Sequence, residues 1–126
     1  SSFPFQPWQL SDGTIRFICL AAALLQPSPP ATVVIDEPEL GLHPFALDVL
    51  AGLFRDASER TQLVVSTQSA GLLNHFEPDD VIVVDRELGA SRFRRLDASS
   101  LAAWLEDFSL GELWQKNVFD GGPSHE

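Results

Sequence analysis

Three short apolar runs constrain this chain more than any other feature. Residues 32–35 (TVVI) carry apolar side chains on both faces, the pattern of a strand buried inside a parallel sheet. Residues 81–84 (VIVV) read the same way, and residues 62–65 (QLVV) form a further β-branched strand between them. The intervening segments are helical. Residues 15–25 are apolar and alanine-rich, follow a capping Ser11 or Asp12, and are stopped by Pro27, Pro29 and Pro30. Pro44 suits a first helical position and opens a helix predicted over 44–59. A short helix is predicted over 70–75. A turn at Gly89 should return residues 92–96 as an antiparallel edge, and amphipathic helices over 98–107 and 109–118 carry Trp104 and Trp114. Residues 1–9 read as an extended lead-in and residues 119–126 as a tail. Strand and helix alternate, which is the α/β pattern: a mainly parallel sheet flanked by helices, with an antiparallel edge strand.

A chain of 126 residues suits one domain, or one lobe of a larger one, and 44% hydrophobic residues are enough for a core. It contains no methionine, even at position 1, so it is expected to be a piece of a longer parent rather than a stand-alone regulatory binder. Eighteen acidic against eight basic residues give a net charge of -10, a poor surface for nucleic acid. The one basic cluster, Arg92, Arg94 and Arg95, reads as a solvated strand edge. Cys19 lies in an apolar run and is expected to be a small buried hydrophobe; one cysteine permits no disulfide within the chain. No signal peptide and no apolar stretch of membrane-spanning length is visible, so a cytoplasmic location without membrane contact is expected.

Chemistry in open α/β sheets gathers at the carboxyl ends of the strands. Two strands here end in polar clusters, Asp36-Glu37 and Ser66-Thr67-Gln68-Ser69. Four hydrophobic residues followed by Asp-Glu describe a Walker B element, in which the first carboxylate serves a hard magnesium ion and the second accepts a proton from an attacking water. The same residues also suit a strand that ends in solvated acids before Pro38. Upstream, Leu10-Ser11-Asp12-Gly13-Thr14 joins a hydroxyl, a glycine and a helix start, which makes a donor-rich anion site or an ordinary capped helix.

Order and spacing bring these pieces together. Leu10-Ser11-Asp12-Gly13-Thr14 resembles the signature of ATP-binding-cassette ATPases. The stretch Val34-Ile35-Asp36-Glu37-Pro38-Glu39-Leu40-Gly41-Leu42-His43-Pro44 resembles the Walker B and D-loop region of SMC, RecF and OLD-like ATPase heads, and the resemblance runs from Leu10 to Pro123. It implies the C-terminal lobe of a P-loop NTPase, with ATP and magnesium as cofactors. Glu37 would be the general base, Asp36 the magnesium partner, and Gln68 the switch residue after the second strand. Relatives usually carry histidine at that switch; an amide can still orient a water. Ser11, Gly13 and Thr14 would contact the nucleotide of a partner head in a homodimer, and His43 falls where the D-loop approaches that partner. The family's fold sets the signature helix away from its own Walker B strand.

No Gly-x-x-x-x-Gly-Lys-Ser/Thr occurs, and the single lysine is Lys116, so the phosphate cradle must lie in an N-terminal portion of the parent. The resemblance implies that its strand would insert between the strands at 62–67 and 81–85. The fragment alone is therefore expected to be inactive. The resemblance implies an ATPase in the full-length parent that drives head dimerisation, in DNA repair, phage defence or a toxin-like system. The alternative is a degenerate head that binds nucleotide and dimerises without turnover.

Overall fold

The computed structural model describes residues 11–119, so the expected lead-in at 1–9, Leu10 and the tail beyond Phe119 lie outside the described residues. The chain divides into two compact units, residues 1–67 and 68–126.

In the first unit, helix α1 (Asp12–Leu25) precedes strand β1 (Thr32–Asp36), helix α2 (Pro44–Ala57) and strand β2 (Gln62–Ser66). Ser11 caps α1 by accepting from Thr14 N at 3.0 Å. Pro44 opens α2 as its composition predicts, and β1 and β2 pair in parallel from Thr32↔Gln62 to Asp36↔Ser66. Leu24, Leu50, Ala51, Phe54 and Ala57 are buried where α1 and α2 lie together. Arg60 fastens this packing: its Nη2 donates to Leu24 O at 2.9 Å while Nη1 pairs with Asp56 Oδ2 at 3.1 Å.

Two expectations are corrected in this unit. Cys19 is exposed, because the apolar run is longer than the face α1 buries. Gly13 and Leu24 lie on that face, whereas Ile18 and Leu25 share the exposure of Cys19. β1 is also not buried on both faces: Val33 and Ile35 are half-buried, but Val34 is 74% exposed. β-branched composition marks a strand without saying what covers it.

The second unit contains α3 (Ala70–Leu73), a 3-10 turn (Pro78–Asp80), β3 (Ile82–Glu87), β4 (Ala90–Arg95), α4 (Ala98–Leu105) and α5 (Leu110–Gln115). β3 and β4 form an antiparallel hairpin, as expected. Leu88 and Gly89 both have positive φ, 54° and 81°, which identifies a two-residue type I′ turn. Only alternate residues of β3 face inward, so its expected two-sided burial is likewise corrected: Val83 is buried while Ile82 and Val84 are about half exposed. The three arginines of β4 are anchored rather than merely solvated. Arg92 pairs with Glu87 at 2.5 Å, Arg94 donates to Phe119 O, and Arg95 donates to Asp79 O at 2.7 Å.

Leu73, Val83, Leu96, Leu101, Leu110, Leu113, Trp114 and Phe119 form the core of this unit, so Phe119 is packed rather than part of a loose tail. α5 is shorter than the predicted 109–118, and it starts at a capping box in which Ser109 and Glu112 satisfy each other's backbone N–H. The Ser109 N–H, then its hydroxyl, hold the Glu112 carboxyl below the usual range. α5 rests on α3 through Gly111, whose N–H donates to Asn74 Oδ1 at 2.6 Å. A Cβ on Gly111 would lie 2.3 Å from Ala70 O and 2.6 Å from Asn74 Oδ1. Gly111→Ala is therefore expected to destabilise the protein by about 1–3 kcal/mol, as overpacking does, and to lower its melting temperature. An unchanged melting temperature would argue against this close approach.

Candidate active site

Because β1 and β2 run parallel, their carboxyl ends lie side by side, and the register sets Asp36 directly across from Ser66. The Ser66 hydroxyl donates to Asp36 Oδ1. Ser66 Oγ in turn accepts from Glu37 N at 3.2 Å, and that N–H also donates to Ser66 O at 2.8 Å. Asp36 is exposed and Glu37 half-buried. One serine at the tip of β2 thus orients the side chain of the first acid and the backbone of the second.

Glu37 has φ of 46°, in the left-handed region that costs a non-glycine residue roughly 1–3 kcal/mol. The strand ends there, and the chain enters a tight turn in which Leu40 N donates to Glu37 O and Leu42 N to Glu39 O. Pro38 is buried within it. Gly41, with φ of 79°, completes the turn where glycine is most easily accommodated.

The amino end of α1 lies against this turn of its own chain. A Cβ on Gly13 would fall 2.2 Å from Gly41 O. Arg16, one helical turn on, donates from Nη1 to Leu40 O at 3.0 Å and from Nη2 to Glu37 O at 3.3 Å. Helix α1 is therefore tied to the turn that follows β1 of its own chain, where the resemblance implied a separation between the two. Ser11 Oγ bonds Thr14 N and lies 2.7 Å from Thr14 Oγ1, so Ser11, Gly13 and Thr14 do share the first turn of α1.

His43 caps α2, accepting from Phe45 N at its Nδ1 at 3.2 Å, with its ring stacked on Phe45. Gln68 opens the second unit as an exposed residue just before Ser69, which caps α3 by accepting from Leu72 N at 3.1 Å. Sequence reasoning passed over Ser66 as an individual and missed Arg16. A signal for Ser66 existed, since it ends the second strand at the residue that pairs with Asp36; a lone arginine inside an apolar helix carries none.

No group of three or more metal-ligating side chains occurs among the described residues. Magnesium binds through one or two carboxylates and keeps water and phosphate oxygens for its other positions. Asp36, exposed with one oxygen already oriented, fits that requirement. No helix among the described residues is long and apolar enough to cross a membrane.

The chain is similar to a solved structure from work on the structural biochemistry of ATP-driven dimerization and DNA-stimulated activation of SMC ATPases. The TM-score is 0.61 at 20% identity, over 79% of this chain and 62% of that one. At that identity the likeness establishes a shared α/β fold, and this chain spans less than two thirds of the other's length. No curated protein matches the chain in sequence. The family model described as "AAA domain, putative AbiEii toxin, Type IV TA system" matches residues 1–74, more than half of the chain and the whole of the site around Asp36 and Glu37, and the chain belongs to that family.

Proposed function

We propose that the full-length protein is a cytoplasmic ATPase whose heads dimerise around ATP and magnesium, and that this chain supplies the signature, Walker B and D-loop part of each head. The observation that carries this reading is the pair of acids at the tip of β1, with Asp36 oriented by Ser66 and Glu37 held in a costly left-handed backbone by two bonds to the same residue. A strand that merely ended in solvated acids would have no reason to hold either so firmly.

In this reading Asp36 holds magnesium, which offsets phosphate charge when bound. Glu37 takes the proton from the water that attacks the γ-phosphate, and Gln68 orients that water through its amide. Ser11, Gly13 and Thr14 offer the N-terminus of α1, with its donors and positive dipole end, to the phosphate of the partner head. The P-loop belongs to an N-terminal portion of the parent, so this chain alone does not turn over ATP. A role in DNA repair, phage defence or a toxin-like system fits such a head, and the acidic balance here directs any nucleic-acid contact to other parts of the parent.

Subunit mixing tests the shared site. Full-length Ser11→Arg and Glu37→Gln variants each carry a lesion in both composite sites and should be inactive as homodimers. In a mixed dimer both lesions fall in one site and the other is intact. Random exchange makes half of the dimers mixed, so turnover should recover to about a quarter of wild type when the sites act independently. Absence of recovery, with exchange and nucleotide binding demonstrated, would count against sites shared between heads.

A further inference from the structure

We propose that Arg16 is the positioning residue for Glu37, an inference that rests on reading Glu37 as the base. A non-glycine residue stays in the left-handed region only when its surroundings over-determine it. On the amide side of Glu37, Ser66 supplies that constraint. On the carbonyl side the constraints are Leu40 N at 3.3 Å and Arg16 Nη2 at 3.3 Å. Arg16 does more than add a bond there, because its Nη1 also donates to Leu40 O at 3.0 Å. One planar guanidinium thus spans the first and last residues of the Glu37–Leu40 turn. The fixed fork of its donors sets the distance between the two carbonyls.

Gly13 makes this reach possible. It lies three residues before Arg16 on the same face of α1, and its missing Cβ lets the helix backbone approach Gly41. Gly13, Gly41 and Arg16 form a single fitting between α1 and the turn. Without the guanidinium, Glu37 O keeps only the Leu40 N–H among the described residues, and the backbone at 37 can relax toward a right-handed conformation that carries the carboxylate away from its place. Arg16 touches no reacting atom, so its effect should pass entirely through Glu37.

The test is a double-mutant cycle in the full-length protein. Steady-state turnover of magnesium-ATP and affinity for a fluorescent ATP analogue are measured for wild type, Arg16→Ala, Arg16→Lys, Glu37→Gln and the Arg16→Ala/Glu37→Gln double variant. Arg16→Ala should lower kcat by about 10- to 100-fold, as misplacement of a catalytic group does, with KM and analogue affinity close to wild type. Arg16→Lys should recover only part of that loss, because an ammonium is a point donor that cannot reproduce the fork. In the Glu37→Gln background, Arg16→Ala should add no further loss. Losses that multiply, an Arg16→Ala kcat equal to wild type, or a KM effect in place of a kcat effect would overturn the proposal. If Arg16→Ala fails to fold, the lysine variant carries the test: reduced kcat with intact analogue binding supports the fork, and wild-type kcat overturns it. Should Glu37→Gln itself retain turnover, the base assignment fails instead, which separates the two ideas.

Discussion

Glutamine at position 37 is expected to slow ATP turnover of the full-length protein by about 10²–10⁴-fold, the usual contribution of a general base. The substitution keeps the size of the side chain. It also keeps the bonds that hold the residue, because both contacts to Ser66 and the contact to Arg16 are made by the backbone of Glu37. Only the ability to take a proton is lost. Asp36 is untouched, so magnesium-ATP should bind as before, and heads that engage nucleotide without consuming it should accumulate as dimers. Turnover and light scattering, with and without ATP, measure both effects. Turnover within a few-fold of wild type would remove Glu37 from the chemistry.

The second large effect is structural and isolates the contact between Gly13 and Gly41. An added Cβ at residue 13 would meet Gly41 O at 2.2 Å, and that atom is backbone that cannot swing aside. Gly52, inside α2, has nothing within 4 Å of the same added atom. Both Gly→Ala changes restrict the unfolded chain alike, so comparing them cancels that contribution. Gly52→Ala should stabilise the protein by about 0.5–1 kcal/mol, the ordinary gain in a helix interior. Gly13→Ala should destabilise it by about 1–3 kcal/mol, as overpacking does, and displace the turn that carries Glu37. Opposite shifts in melting temperature are thus expected from the same chemical change. Equal shifts would show that α1 does not press on the turn.

Much of the first unit was legible in the residues. A β-branched run ending in Asp36-Glu37, a proline at the first position of α2 and a serine before α1 each have one strong local cause, and local causes can be read from sequence. What escaped depends on partners distant along the chain. Ser66 drew notice only within a polar cluster, since its importance lies in a register that joins residues 30 apart in sequence. Arg16 looked like an isolated charge in an apolar helix, and nothing nearby announces the two carbonyls it holds. Cys19 was misjudged for the converse reason: hydrophobic character is a property of the residue, but burial depends on which face of α1 meets α2. The two-sided burial expected of β1 and β3 failed likewise. Gln68 is singled out by resemblance alone, whereas Ser66 and Arg16 stand on contacts in the structure.

The left-handed backbone at Glu37 also bears on how such a chain would change over generations. Among the residues that could stand there, glycine occupies this conformation without penalty and asparagine tolerates it better than most. Glutamate is a poor choice on conformational grounds alone, and under the function proposed above its carboxylate is the demand that outweighs this cost. A lineage released from that demand would gain stability by drifting to glycine or asparagine at this one position, with the rest of the strand and turn unchanged. If Glu37 is the base proposed above, the identity of residue 37 in a descendant serves as a marker of whether that chemistry is still under selection.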